Sequence, residues 1–369
     1  MKQLLDGTAI PIRDLLMEAA SSIGLMAGFF AFISLCVLRP VAGWLRLLDT
    51  PDHRKHHKGA VPLVGGLSAF LGFSLAWMVW MPLGSAHGLF LACAALLVIV
   101  GAVDDAHDLS AKFRLGVQVL LGAVLTFGSG ISLSSFGSVL GLGPIELGVL
   151  GPFVTIAAVI AATNAFNMVD GIDGLAGSLS QVALVSLSAL FAARSGFGAE
   201  LTLALGITFA LVPYMMANLR IPPFRRRIFM GDAGSMFIGF AVVWLLVNAT
   251  QPGDLAMRPV TALWIIAIPL MDMVAIMVRR ARKGQSVMKP DRDHLHHIFM
   301  RAGFSDREAL LMITAVALLF AGVGLLGEWF GVPEWVMFAG FMGLFALYDW
   351  SLNHVWRLLV VVRKRVGHH

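Results

Sequence analysis

The sequence predicts an all-α protein that crosses a membrane with about eleven transmembrane helices, its N-terminus outside and its C-terminus in the cytoplasm. Three observations predict it. Of 369 residues, 58% are hydrophobic and 13% are charged, where a soluble domain carries about 25% charged residues. So few charges cannot cover a water-facing surface, and a mean hydropathy of +0.83 makes lipid the natural solvent. Apolar runs recur at the ~20-residue length that a helix needs to cross the hydrocarbon layer. Finally, 23 of the 27 Lys and Arg residues fall in alternate connections, which the positive-inside rule assigns to the cytoplasm.

The elements follow in order. Met1 to Glu18 is polar and mixed in charge. It lacks the basic start, apolar centre and small-residue cleavage site of a signal peptide. Apolar runs then cover 20–40, 63–82, 86–103, 114–130, 149–165, 179–195, 200–218, 233–250, 259–278, 309–327 and 333–350. Of these, 114–130 and 179–195 are rich in Gly and Ser. No repeat of the kind that builds duplicated transporter halves is visible, so one integral-membrane domain spans 1–369. The inside connections are 41–62, 104–113, 164–178, 219–232 and 279–308. The outside ones are short or bland; Ser129 to Gly148 holds one charge, Glu146. Cys36 and Cys93 sit in apolar runs as small hydrophobes, with no disulfide or zinc pattern.

The inside connections carry the polar clusters. The first runs from Asp49 to Lys58 and on to Gly66. The second is Asp104 and Asp105, followed by Lys112 and Arg114. Ionisable groups near the hydrocarbon boundary are costly, which marks them as functional candidates. Adjacent carboxylates repel, and a cation relieves that repulsion. The third cluster holds Asn164 and Asn167, three apart on one helix face, then Asp170 and Asp173 among Gly171, Gly174 and Gly177. Amide and carboxylate oxygens are hard ligands suited to Mg²⁺; an ordinary Asn/Asp/Gly turn is the bland alternative. The fourth places Asp232 at the start of a helix, where a helix cap and a metal ligand both fit. In the fifth, Arg292, His294, His296 and His297 suit phosphate oxygens better than structural zinc, since no Cys is near. Asp272 lies inside an apolar run, where a hydrogen-bonded carboxylate and a supporting role behind the site both fit. Oxygen ligands beside cationic groups suggest phosphoryl transfer at the membrane surface. No GxxxxGK[ST] loop is present, which leaves a P-loop ATPase unsupported. An anionic-lipid transporter and a membrane phosphatase are the competing readings; the transporter would spread polar groups over both sides, whereas these concentrate on one.

In order and spacing, Asp104-Asp105, Asn164–Gly177 and Gly231–Ser235 resemble the shared motifs of the polyprenyl-phosphate N-acetylhexosamine-1-phosphate transferases. Pro259–Arg282, Pro290–Ile298 and Met300–Phe304 resemble the branch that uses UDP-GlcNAc. The resemblance implies that undecaprenyl phosphate attacks the sugar-proximal phosphorus of UDP-GlcNAc, giving undecaprenyl-diphospho-GlcNAc and UMP. The place it implies is a bacterial inner membrane with the site facing the cytoplasm, at the first membrane step of a surface-glycan pathway. It further implies Asp232 and Asn167 as ligands of Mg²⁺, with Mn²⁺ as a substitute at such oxygens. Asp104 and Asp105 would act on the lipid phosphate as catalytic residues, by positioning or as a base. Lys112 would anchor that phosphate, and Asp49 matches the acidic position of the first loop. Asp170, Asp173 and Asn164 would lie near the nucleotide or sugar, and Arg292, His294, His296 and His297 would bind the donor's phosphates or GlcNAc. Membrane lipids and a second copy of the chain are the partners it allows, and no nucleic acid is expected.

Overall fold

The computed structural model describes 12–50, 59–80, 84–251, 253, 255–286 and 294–366, with the side chains of 12–16, 85 and 353–366 left aside. It is helical nearly throughout. The long helices are α1 (Ile12–Val41), α2 (Gly65–Trp80), α3 (Ser85–His107), α4 (Ala111–Ser129), α5 (Gly151–Met168), α6 (Leu175–Ala193), α7 (Gly198–Asn218) and α8 (Gly231–Asn248). They are followed by α9 (Pro259–Ile265), α10 (Ala267–Arg282), α11 (Leu295–Arg301), α12 (Asp306–Trp329) and α13 (Glu334–Val366). A two-residue hairpin, β1 (Leu48–Asp49) with β2 (Val61–Pro62), is the one sheet among the described residues.

Each of the eleven apolar runs becomes helix, but not each becomes a full span. Nine helices among the described residues are long and apolar enough to cross a membrane. The run 259–278 is broken: α9 and α10 meet at 84°. The run 63–82 yields α2, whose 16 residues fall short of the length of a straight crossing. The chain is a multi-pass membrane protein, and among the described residues up to ten helices meet the length and composition of a span, counting the broken pair as one.

The core is organised around α8. Seventeen of its 18 residues are buried, all but Asp232. A helix that is apolar all round belongs inside a bundle, and α2, α3, α5, α6 and α7 pack about it. Helices in lipid gain little from hydrophobic burial and associate by close packing, so small residues mark the contacts. Gly66 of α2 faces Gly234 of α8 so closely that a Cβ on either would overlap the other's backbone. Gly101 of α3 lies against the Ala233 backbone in the same manner. Farther along α8, Phe90 stacks on Phe240 and Trp244 at 5.6 and 5.8 Å, contacts worth about 0.5–1.5 kcal/mol each. These contacts bring the end of α3 against the start of α8.

Candidate active site

Asp104 and Asp105 close α3. Asp108 then turns the chain with φ at 51°, and Ser110 caps α4 by accepting from the Phe113 N–H at 3.3 Å. Asp104 is buried and fully occupied: one oxygen accepts from Leu109 N–H at 2.7 Å, the other from Arg114 at 2.5 Å. Asp105 reaches across to α8. Its oxygens accept from the backbone N–H groups of Asp232 (2.9 Å) and Ala233 (3.3 Å). Gly231, at φ +75°, leaves room for this, since a Cβ there would sit 2.5 Å from the Asp105 carboxylate. The cap of α8 is therefore supplied by Asp105 and not by Asp232, whose side chain is free to face outward. A carboxylate at a helix N-terminus is also favoured by the helix dipole.

Asp232 is the centre of the cluster. Arg114 donates one N–H to it at 2.9 Å, so a single guanidinium nitrogen bridges Asp232 and Asp104. Asn167, on the last turn of α5, donates to the other Asp232 oxygen at 2.8 Å and to Ser235 at 3.0 Å. The Asp232 side chain remains 32% exposed, against 4% for Asp104, which makes Asp232 the more open of the two. Asn164, one turn back on α5, donates to Gln118 of α4 at 2.7 Å and to the Ile160 carbonyl at 2.8 Å.

The loop after α5 completes the rim. Asp170 is half-buried there. Burial first, then the Asp232 and Asp173 charges, push its pKa up to about 7. Asp173 pairs with Arg227 at 3.1 Å. Gly174, at φ +81°, donates its N–H to Asn218 at 2.5 Å, and Asn218 donates on to the Ile228 carbonyl. Gly171 lies directly under the His296 ring, where any Cβ would collide. The histidine loop thus docks on the Asp170 loop. His296 is buried, its Nε2 without a hydrogen-bond partner. Burial and then the neighbouring His297 and His294 lower its pKa to about 3, so this ring is a neutral imidazole at working pH. His297 packs on it at 4.2 Å.

The structure brings Asp104, Asp105, Asn167 and Asp232 into one hydrogen-bonded group, with Asp170 close enough to feel the Asp232 charge. Asn164 binds Gln118 and Asp173 pairs with Arg227, bonds made outside that group. Asp49 stands apart on β1, whose hairpin is stitched to the segment entering α8 through Phe229 N–H and the Pro62 carbonyl at 2.9 Å. Lys112 is exposed on the first turn of α4. His294 turns to Asp272 and away from the carboxylates. Arg292 lies outside the described residues. The sequence placed Arg114 beside the aspartates without a role and pointed Arg227 to the lipid surface; Gln118 and Asn218 gave no signal. Arg114 had one usable signal: it lies ten residues after Asp104, across a short turn that returns α4 beside α3.

The donor set is one of hard oxygens. Among the described residues no three His, Cys, Asp or Glu side chains converge as a metal cage. Mg²⁺ needs no such cage, since it binds through one or two carboxylates, waters and substrate phosphates. Open Asp232 beside the Asn167 amide fits that manner of binding. Burial and then the neighbouring Asp232 and Asp173 charges raise Asp170, and that crowding of negative charge is the setting that a divalent cation relieves.

Deeper in the bundle lies a cavity of about 450 Å³ whose walls are almost wholly apolar. It runs between α5, α8 and the broken pair α9 and α10. Ala165 and Phe166 line it next to Asn167, while Pro259 and Leu133 line its far part.

Fold and site define a polytopic membrane protein with an oxygen-rich, charge-dense centre at the end of its buried helix and an apolar cavity beside it. Residues 87–250, which hold every carboxylate of the cluster, match the family described as glycosyl transferase family 4. The chain is 46% identical over 339 residues to the undecaprenyl-phosphate alpha-N-acetylglucosaminyl 1-phosphate transferase of Yersinia pestis, covering 91% of this chain and 92% of that protein. The proteins of the same name from Haemophilus influenzae and Escherichia coli K12 are each 44% identical, over 90% and 91% of this chain and 94% and 91% of theirs. The chain belongs to this family of membrane transferases.

Proposed function

We propose that this protein transfers GlcNAc-1-phosphate from UDP-GlcNAc to undecaprenyl phosphate, releasing UMP, in a Mg²⁺-dependent reaction at the cytoplasmic face of a bacterial inner membrane. The observation that carries the reading is identity along nine tenths of the chain to transferases of that name, and the carboxylate cluster beside an apolar cavity supports it. The donor is water-soluble and the acceptor is not, so a site at the membrane edge is where the two can meet. The apolar walls of the cavity suit a polyprenyl tail, and a tail that enters past Phe166 would bring its phosphate toward the turn that carries Asn167. The concentration of Lys and Arg in the same connections supports the cytoplasmic orientation.

The reaction forms a P–O bond between the acceptor phosphate and the sugar-proximal phosphorus, and breaks the bond from that phosphorus to the bridging oxygen of UMP. The sugar's anomeric bond is untouched. When bound, Mg²⁺ would neutralise charge on the donor diphosphate. Asp232 and Asn167 would hold that ion, and Arg114 keeps Asp232 aimed while locked to Asp104. Asp105 fixes the start of α8 and hence the height of Asp232. A phosphate monoester is already ionised near pH 7, so orientation of the acceptor matters more than proton removal. The imidazoles of the histidine loop would meet the donor.

Purified protein in nanodiscs with undecaprenyl phosphate, labelled UDP-GlcNAc and Mg²⁺ is expected to yield labelled lipid and UMP in equal amounts. Untouched UDP-GlcNAc alongside consumption of another UDP-N-acetylhexosamine would overturn the assignment. Mn²⁺ in place of Mg²⁺ is expected to retain activity.

A further inference from the structure

Asp272 is an ionisable residue with no part in the reaction as described above. It is 1% exposed, on α10, less than two turns after the 84° break. Burying a carboxylate is costly unless its oxygens are satisfied. Here both are. One oxygen receives His294 Nδ1 at 2.9 Å. The other receives the Leu295 backbone N–H at 3.0 Å and the Tyr348 hydroxyl of α13 at 2.9 Å. Three elements meet on this one carboxylate.

The geometry does two things. Leu295 N–H is the first of α11, and His294, the residue before it, makes no side-chain cap of its own. Asp272 therefore caps α11 from another helix. An ionised Asp accepts only, so the hydrogen on His294 must sit on Nδ1. That leaves Nε2 as the accepting nitrogen, the arrangement by which a buried carboxylate sets tautomer and ring orientation elsewhere. The His294 ring lies parallel to His296, centroids 5.6 Å apart and planes 8° apart. His296 in turn sits on Gly171, beside Asp170. The pose of His294 is thus passed to the ring that touches the active-site loop.

We propose that Asp272, assisted by Tyr348, is a positioning residue for the donor: it holds His294 in the Nδ1–H tautomer and sets the register of the histidine loop against the Asp170 loop. The inference takes its kinetic readout from the proposed transfer reaction, while its spectroscopic readout is independent of it.

The test is a double-mutant cycle of Asp272→Asn and His294→Ala, with Tyr348→Phe as the milder variant and Asp272→Glu as the conservative one. Asp272→Asn is expected to raise KM for UDP-GlcNAc about tenfold or more and to leave KM for undecaprenyl phosphate within about twofold. In the His294→Ala background the same change should have little further effect, because residues acting through one another are non-additive. Tyr348→Phe should move donor KM in the same direction by less, and Asp272→Glu should restore part of the loss. In nitrogen-15 spectra of the intact protein in nanodiscs, His294 should show a protonated Nδ1, lost in Asp272→Asn. Additive effects, equal rises in both KM values, or an Nε2–H tautomer in the unaltered protein would overturn the proposal. If Asp272→Asn does not fold, Tyr348→Phe and the tautomer decide it. If the unaltered protein does not consume UDP-GlcNAc, the reaction is wrong and the tautomer alone judges Asp272.

Discussion

At the scale of single residues, the site works by division of labour among like groups. Three carboxylates meet near the start of α8, and their partners separate them. Asp104 is consumed by Leu109 and Arg114, Asp105 by the α8 backbone, and Asp232 alone keeps an open face. Asp232→Asn keeps the shape and removes the charge, so kcat should fall by several orders of magnitude while the protein stays folded; a near-normal rate would remove Asp232 from the metal site. Asp170 gives a pH signature. Its pKa of about 7 in the folded chain lies above the ordinary carboxylate value of 3.8. The folded state then binds more protons than the unfolded state between those values, and stability falls as pH rises from about 4 to 7. Thermal-shift measurements without divalent cations should show that decline, and Asp170→Asn should flatten it. The acidic residues were legible in the sequence because charge at a membrane boundary stands out. The role of Arg114 was not, because basic residues there ordinarily face lipid headgroups, and its position ten residues after Asp104 is a signal only once α4 is known to return beside α3.

At the scale of elements, the bundle is set by close approach. The α2–α8 crossing depends on two facing glycines, and a methyl group at Gly66 would fall on the Gly234 backbone. Gly66→Ala should therefore shorten the thermal half-life in detergent and lower kcat, since Asp232 rides on α8. Gly116→Ala makes the control: that position opens on empty space, where exchanging Gly for Ala in a helix favours stability by up to about 1 kcal/mol. Equal behaviour of the two would contradict the packing account. Helix existence was legible, since apolar length is a bulk property. The break in 259–278 was not. Pro269 falls in the first turn of α10, where a missing N–H is tolerated. It has no N–H for the Ile265 carbonyl at the 84° turn, yet its presence does not by itself tell a broken span from an intact first turn. The shortness of α2, Gly65–Trp80, was not legible either, because the apolar sequence runs on through Met81, Pro82 and Leu83.

At the scale of the whole molecule, sidedness joins the parts. The charge pattern predicted where chemistry should lie, and the packing brings three of the five polar connections into one hydrogen-bonded rim at the start of α8, with His296 of a fourth packed on Gly171 and the hairpin of Asp49 stitched to the segment that enters that helix. What the sequence could not reveal was the cavity, because its walls are ordinary apolar residues from α5, α8, α9 and α10 that no spacing relates. Orientation is open to direct measurement. In a background lacking Cys36 and Cys93, a membrane-impermeant maleimide should label Leu142→Cys, 92% exposed, in right-side-out vesicles. Lys112→Cys should react only in inside-out ones. The reverse pattern would place the carboxylates on the wrong side for a soluble donor.

The central claim is phosphoryl transfer to a lipid at the carboxylate cluster. It is tested most directly with UDP-GlcNAc carrying phosphorus-32 in the sugar-proximal phosphate, given to the unaltered chain and to Asp232→Asn in nanodiscs with undecaprenyl phosphate and Mg²⁺. The expected result is label in the lipid fraction and unlabelled UMP, with the variant transferring almost none. Label released as water-soluble phosphate or sugar phosphate, or equal transfer by the variant, would contradict it.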